Sequence, residues 1–128
     1  MKKKIMIIDD EVDFALMLKM RIEHSGDYEV KAFSEAKDII SQIHNFRPDV
    51  ILLDLLMPGA GGLDACDMLN NDSLGQSIPV IVVSGLDKQT DKTKAFKFGV
   101  IDYLVKPVDD TKLMGAIKKA IEFKSKQF

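Results

Sequence analysis

The sequence predicts an α/β fold: a doubly wound, five-stranded parallel sheet with helices on both faces. Three observations predict it. Five short apolar runs are spread along the chain, segments of helical spacing separate them, and 128 residues match one domain with a core of its own.

The runs are Ile5–Ile8, Tyr28–Phe33, Val50–Leu53, Ile78–Val83 and Val100–Val105. The first, third and fourth are nearly continuous Ile, Leu and Val, as in strands buried on both faces. The second alternates, with Tyr28, Val30 and Ala32 against Glu29 and Lys31, which suits an edge strand. Between the runs, Phe14, Leu18 and Ile22 recur every fourth residue with Met17 beside them. Ile39, Ile40, Ile43 and Phe46 follow the second run, and Leu63, Cys66 and Leu69 the third. Ala95, Phe96 and Phe98 precede the fifth run; Leu113, Ile117 and Ile121 form a last stripe, with Asp109 as its N-cap. Gly26, Gly75 and Gly99 sit near helix ends, and Pro48 and Pro79 at strand starts. Regular βα alternation without repeat or linker predicts right-handed crossovers and a single domain over residues 1–128.

Composition excludes several classes. Eighteen basic and 20 acidic side chains leave a net charge of −2, so no basic excess points to nucleic acid as a direct partner. Cys66 is the one cysteine, which rules out an internal disulfide and fits a reducing compartment. The apolar run after Met1–Lys4 is too short for a signal peptide or a membrane span. A cytoplasmic protein is the expectation. His24 and His44 read as surface residues, Cys66 as a small buried side chain, and the seven methionines as core filling.

In doubly wound sheets, ligands sit outside the carboxyl ends of the strands, where the strand order reverses. The first strand ends in Asp9 and Asp10, the third in Asp54 and the fourth in Ser84; Lys106 follows the fifth. With strand order 2-1-3-4-5 the first and third strands are neighbours, so Asp9, Asp10 and Asp54 converge. Three carboxylates in one cleft are costly unless a cation joins them. Magnesium fits, because it takes a few carboxylate oxygens and keeps waters for a phosphate-type ligand. Glu11 reads as a first-turn acid of the next helix.

The stretches "IIDDE", "DVILLDLLMPGAGGLD", "IPVIVVSG" and "GVIDYLVKP" resemble, in order, the response-regulator receiver domain of two-component signalling, a flavodoxin-like fold. The resemblance covers about residues 3 to 124. It implies that Asp54 is the phospho-acceptor for a phosphohistidine on a sensor histidine kinase or a histidine phosphotransfer protein. It implies Mg2+ bound directly by Asp10, largely through water by Asp9, and by Asp54 and the backbone carbonyl of Leu56. Lys106 would pair with Asp54 before transfer and with a phosphoryl oxygen afterwards. Ser84 would bond another phosphoryl oxygen, and Tyr103 would be the switch aromatic. The Lys106–Pro107 bond would be cis. An output protein or domain would read the face of the fourth helix, fifth strand and fifth helix; a homodimer is also possible.

Some positions depart from the family pattern. Gly61-Gly62 stands where the family often has Asp-Gly, so the following helix is expected to lose an acid and its loop to be more flexible. Gly85 stands where an alanine is common, and Asp27 lies within an insertion-like "SGDYEV". In the family the sites two residues past Asp54 and Ser84 influence hydrolysis; Leu56 and Leu86 are apolar there, which by this resemblance implies a long-lived phosphorylated state, while Gly85 pulls the other way by admitting water. Two rival classes fit less well. An aspartyl-nucleophile phosphatase needs a second acid where Leu56 stands. A flavin-binding electron carrier needs a phosphate cradle where the first strand ends in acids. A receiver acting as a phosphorylation-independent interaction domain is the remaining alternative.

Overall fold

Strands β1 (Lys3–Ile8), β2 (Tyr28–Phe33), β3 (Val50–Leu53), β4 (Val80–Ser84) and β5 (Asp102–Val105) alternate with helices α1 (Val12–His24), α2 (Ile39–Phe46), α3 (Gly62–Asn70), α4 (Gln89–Lys97) and α5 (Asp110–Gln127). The computed structural model describes residues 1–57 and 61–127. Residues 58–60 of the "DLLMPGAGG" stretch and Phe128 lie outside the described residues. Every strand pair is parallel and the order is β2-β1-β3-β4-β5, as the sequence predicts. Both β2 and β5 are edges, not β2 alone.

Alternation along the strands sends side chains to two cores. Met6, Ile8, Ile51, Leu53 and Val82 pack against Ile39, Ile43 and Phe46 of α2, Cys66 and Leu69 of α3, and Ala95 of α4. Ile5, Ile7, Leu52, Ile81 and Val83 pack against Leu18 and Ile22 of α1 and Leu113 and Ile117 of α5. The sheet is therefore covered on both faces, which is why β1, β3 and β4 are apolar at every position inside the cores. Leu18 and Ile22 are buried, while Val12, Leu16 and Met20 are exposed on the outer side of α1.

Two boundaries differ from the apolar runs for local reasons. Ile78 is buried but precedes β4, because a 3-10 turn over Gly75–Ser77 reaches up to it. Asp72 stabilises that turn by accepting hydrogen bonds from the Leu74 and Gly75 amides at 3.1 and 2.8 Å. Val100 is buried but precedes β5, since Gly99 (φ 94°) turns the chain there after α4. Asp109 caps α5 as predicted, its Oδ2 accepting from the Lys112 amide at 3.1 Å. His24 and His44 are exposed and Cys66 is buried. The methionines do not all fill the core: Met6 is buried, but Met1, Met17 and Met20 are exposed.

Candidate functional site: an acidic cleft at the carboxyl edge of the sheet

Parallel register brings the strand ends level. Ile8 pairs with Leu53, and the Asp54 amide then donates to the Ile8 carbonyl at 2.9 Å. On the other side of β1, the Asp9 amide donates to the Phe33 carbonyl at 3.0 Å. Ser84 closes β4, and the Lys106 amide donates to its carbonyl at 2.8 Å. Asp9, Asp54, Ser84 and Lys106 thus meet along one edge. Among the described residues, Asp9, Asp54 and Ser84 are the buried polar side chains, at 3%, 2% and 0% exposure. A protein core does not hold such groups without partners.

The partners are few and specific. Asp9 Oδ1 accepts from the Glu11 amide at 2.9 Å, and Asp54 Oδ1 from the Leu56 amide at 3.1 Å. Lys106 Nζ lies 2.6 Å from Glu11 Oε1, 2.9 Å from Asp9 Oδ2 and 3.5 Å from Asp54 Oδ2. The Phe14 ring centroid is 4.3 Å from the same ammonium. Burial pushes the Asp9 carboxyl above its ordinary pKa, the Lys106 and Glu11-amide hydrogen bonds oppose the rise, and the Asp54 charge adds to it. Burial pulls the Lys106 ammonium down, but its bonds to Glu11 and Asp9 and the nearby Asp54 outweigh this and leave it raised.

A hydroxyl pair extends the edge toward β5. Ser84 Oγ accepts from the Leu86 amide at 3.3 Å, and the Tyr103 hydroxyl donates to the Leu86 carbonyl at 2.6 Å. The Tyr103 ring is half-buried, and burial raises its phenol above the usual value. The Lys106–Pro107 peptide bond is cis.

Of the acids that open the chain's first loop, the structure gathers a different set from the one expected. Asp9, Glu11 and Asp54 present carboxylate oxygens within 4.8 Å of one another. Asp10 is exposed and lies outside that group. Glu11 is the N-cap residue of α1 rather than a first-turn residue, and its side chain makes no cap bond. Sequence reading missed Glu11 and Phe14 as site residues, because their partner Lys106 lies at the far end of the chain. An all-oxygen donor set with two buried carboxylates suits a hard divalent cation, which would offset the burial that raises the Asp9 carboxyl.

The α3 N-terminus packs against the backbone of Asp54 and Leu55. A Cβ at Gly62 would lie 2.6 Å from the Asp54 carbonyl oxygen and 2.6 Å from Leu55 Cα, so only glycine permits this approach. Three residues after position 61 an acid does stand: Asp64 Oδ2 accepts from the Gly61 amide at 3.2 Å in the first turn of α3.

A flavodoxin-like α/β domain with its polar chemistry concentrated at the switch-point edge is the class these features define. The chain belongs to the response-regulator receiver domain family, whose profile matches residues 5–118. It is similar to the protein PilH of Pseudomonas aeruginosa, 35% identical over 118 residues that make up 92% of this chain and 97% of that one. It is also similar to the response regulator PleD of Caulobacter vibrioides, at 32% identity over 97% of this chain but only 27% of PleD's length. Among solved structures, a response regulator receiver domain protein from Clostridium thermocellum superposes with a TM-score of 0.88 at 28% identity, covering 98% of this chain and 99% of the other. No described helix is long and apolar enough to cross a membrane.

Proposed function

We propose that this domain accepts a phosphoryl group from a phosphohistidine onto Asp54 and thereby switches a partner-binding surface. The observation that carries the reading is the buried Asp54 carboxylate at the switch point, with Asp9 and Lys106 beside it and Ser84 on the next strand. Asp54 offers Oδ2 as nucleophile; as the new O–P bond forms, the P–N bond breaks and the imidazole nitrogen keeps the electron pair. A carboxylate is a modest nucleophile, so positioning and charge neutralisation carry most of the catalysis. Asp9, Asp10, Asp54 and the Leu56 carbonyl are the residues proposed to hold Mg2+, which supplies neutralisation of the phosphoryl oxygens. Lys106 supplies a second positive charge and Ser84 a hydroxyl donor for the modified Asp54.

The donor partner is a sensor histidine kinase or a histidine phosphotransfer protein. The output partner is a protein or domain that reads α4, β5 and α5, where the Tyr103 hydroxyl bonds Leu86 in the loop that follows Ser84. Phosphorylation biases pre-existing arrangements of this face. The test is labelling by a small phosphodonor with Mg2+: the parent chain gains one phosphoryl group and Asp54→Asn gains none. Undiminished labelling of Asp54→Asn would refute the assignment.

A further inference from the structure

The ammonium of Lys106 rests closer to Glu11 than to the acceptor, at 2.6 Å against 3.5 Å for Asp54. Three further features make this contact more than a chance surface pair. Glu11 occupies the N-cap position of α1 yet makes no side-chain cap bond, so its carboxylate is spent on a lysine 95 positions away. Its backbone is fixed, because its amide donates to Asp9 Oδ1 at 2.9 Å. Phe14, one turn further along α1, sets its ring 4.3 Å from the same ammonium.

We propose that Glu11 and Phe14 form a resting cradle that retains Lys106 and thereby sets how readily Asp54 is phosphorylated. This inference rests on the phospho-acceptor reading above. Glu11 is a positioning residue: it acts through Lys106 and not on phosphorus. Lys106 lies among the same carboxylate oxygens that a divalent cation would use, and two cations cannot share them cheaply. For transfer, Lys106 must leave Glu11 and follow the charge that builds at Asp54. The cradle is built to release there. Its Asp9 and Asp54 walls are buried at 3% and 2% side-chain exposure, while the Glu11 side chain is 63% exposed. The Glu11 contact is therefore the one that water can replace.

The experiment uses the whole chain, with acetyl phosphate and Mg2+ as probes. Glu11→Gln is expected to raise the maximal phosphorylation rate about threefold to tenfold, the upper end being about 1.4 kcal/mol, with the donor concentration for half-maximal rate unchanged. Phe14→Leu, which keeps apolar bulk without the ring face, moves the rate in the same direction by less. The 15Nζ resonance of Lys106 shifts in Glu11→Gln before any Mg2+ is added. In a Lys106→Met background, adding Glu11→Gln changes the rate by less than about twofold, since the residue it acts through is gone. An unmoved Lys106 resonance overturns the proposal. So does a rate change of equal size with and without Lys106, because Glu11 would then act directly on the bound cation. Labelling of Asp54→Asn would instead sink the phospho-acceptor reading, while the Lys106 resonance still reports on the cradle.

Discussion

The hydroxyl of Tyr103 on β5 donates to the backbone carbonyl of Leu86, 2.6 Å away in the loop that follows β4. Ser84, two residues earlier, accepts from the amide of the same Leu86 at 3.3 Å. One residue is thus held at both its amide and its carbonyl by the two side chains proposed to switch. Tyr103→Phe removes a single oxygen and leaves the Leu86 carbonyl without that donor. Stability should fall by about 1 kcal/mol, and backbone amides of residues 85–88 should exchange faster. Urea unfolding and hydrogen exchange measure both; an unchanged midpoint with unchanged loop exchange would show the bond to be idle.

Gly61 and Gly62 make a sharper contrast than their shared identity suggests. Among the described residues, a methyl at Gly61 would meet the Leu55 carbonyl at 3.8 Å, which is ordinary contact. A methyl at Gly62 would meet the Asp54 carbonyl at 2.6 Å, Leu55 Cα at 2.6 Å and Leu55 Cδ2 at 2.8 Å. Two of these are backbone atoms of the acceptor loop and cannot swing away. Gly62→Ala should cost about 1–3 kcal/mol or more and displace Asp54, slowing the phosphorylation proposed for it by about tenfold. Gly61→Ala should stay within about 0.5 kcal/mol of the parent. Equal behaviour of the two variants in thermal melts would remove the steric argument.

Asp72 carries a pH dependence far from the cleft. Its carboxylate accepts from the Gly75 and Leu74 amides and faces His44 Nε2 at 3.1 Å. The Gly75 amide first, then His44, hold its carboxyl below the ordinary value of 3.8. For an acid lowered in the folded state, the unfolded chain binds more protons in the intervening range, so stability rises with pH there. The contribution is complete above about pH 3.8 and is lost as pH falls through the lower folded value. Asp72→Asn should therefore be less stable than the parent at neutral pH, and the gap should close in acid. Melting both proteins from pH 7 to pH 2 checks this; a gap that stays constant with pH would contradict it.

What could be read from sequence follows from how local each signal is. The continuous apolar runs of β3 and β4 mark strands buried on both faces, and the acid, hydroxyl or lysine at each strand end is visible as a break in such a run. Strand order comes from the doubly wound pattern rather than from the runs themselves, and with that order Asp9 and Asp54 could be placed together before any coordinates. The limits of β4 and β5 could not, because Ile78 and Val100 are buried by a turn and by the exit of α4 rather than by the sheet. Glu11 and Phe14 were invisible for a different reason. Nothing in local spacing says that an N-cap side chain will turn away from its own helix toward a lysine across the sheet edge. Asp10 reads as a cleft residue from its place just past the end of β1, and in the structure it is exposed.

If Asp54 is the acceptor as proposed, the lifetime of its phosphorylated form follows from the residues around it. Hydrolysis needs a water oriented for attack opposite the carboxylate oxygen, and a polar side chain near the acceptor can supply that orientation. Leu56 is 55% exposed and its amide bonds Asp54 Oδ1, and its apolar side chain carries no group that can hold a water. Leu86, half-buried and tied to Ser84 and Tyr103, offers none either. Gly85 acts in the opposite direction, since a Cβ there would meet nothing within 4 Å and water is not screened. Orientation should outweigh access, because an unaligned water gains little from proximity alone. The phosphorylated chain should then persist for minutes or longer with Mg2+ at neutral pH. Leu56→Asn should shorten that life severalfold, and Gly85→Ala should lengthen it, as followed by loss of label from the phosphorylated chain. Decay within seconds in the parent, or a Leu56→Asn variant that decays no faster, would mean that access at Gly85 and not orientation governs the site.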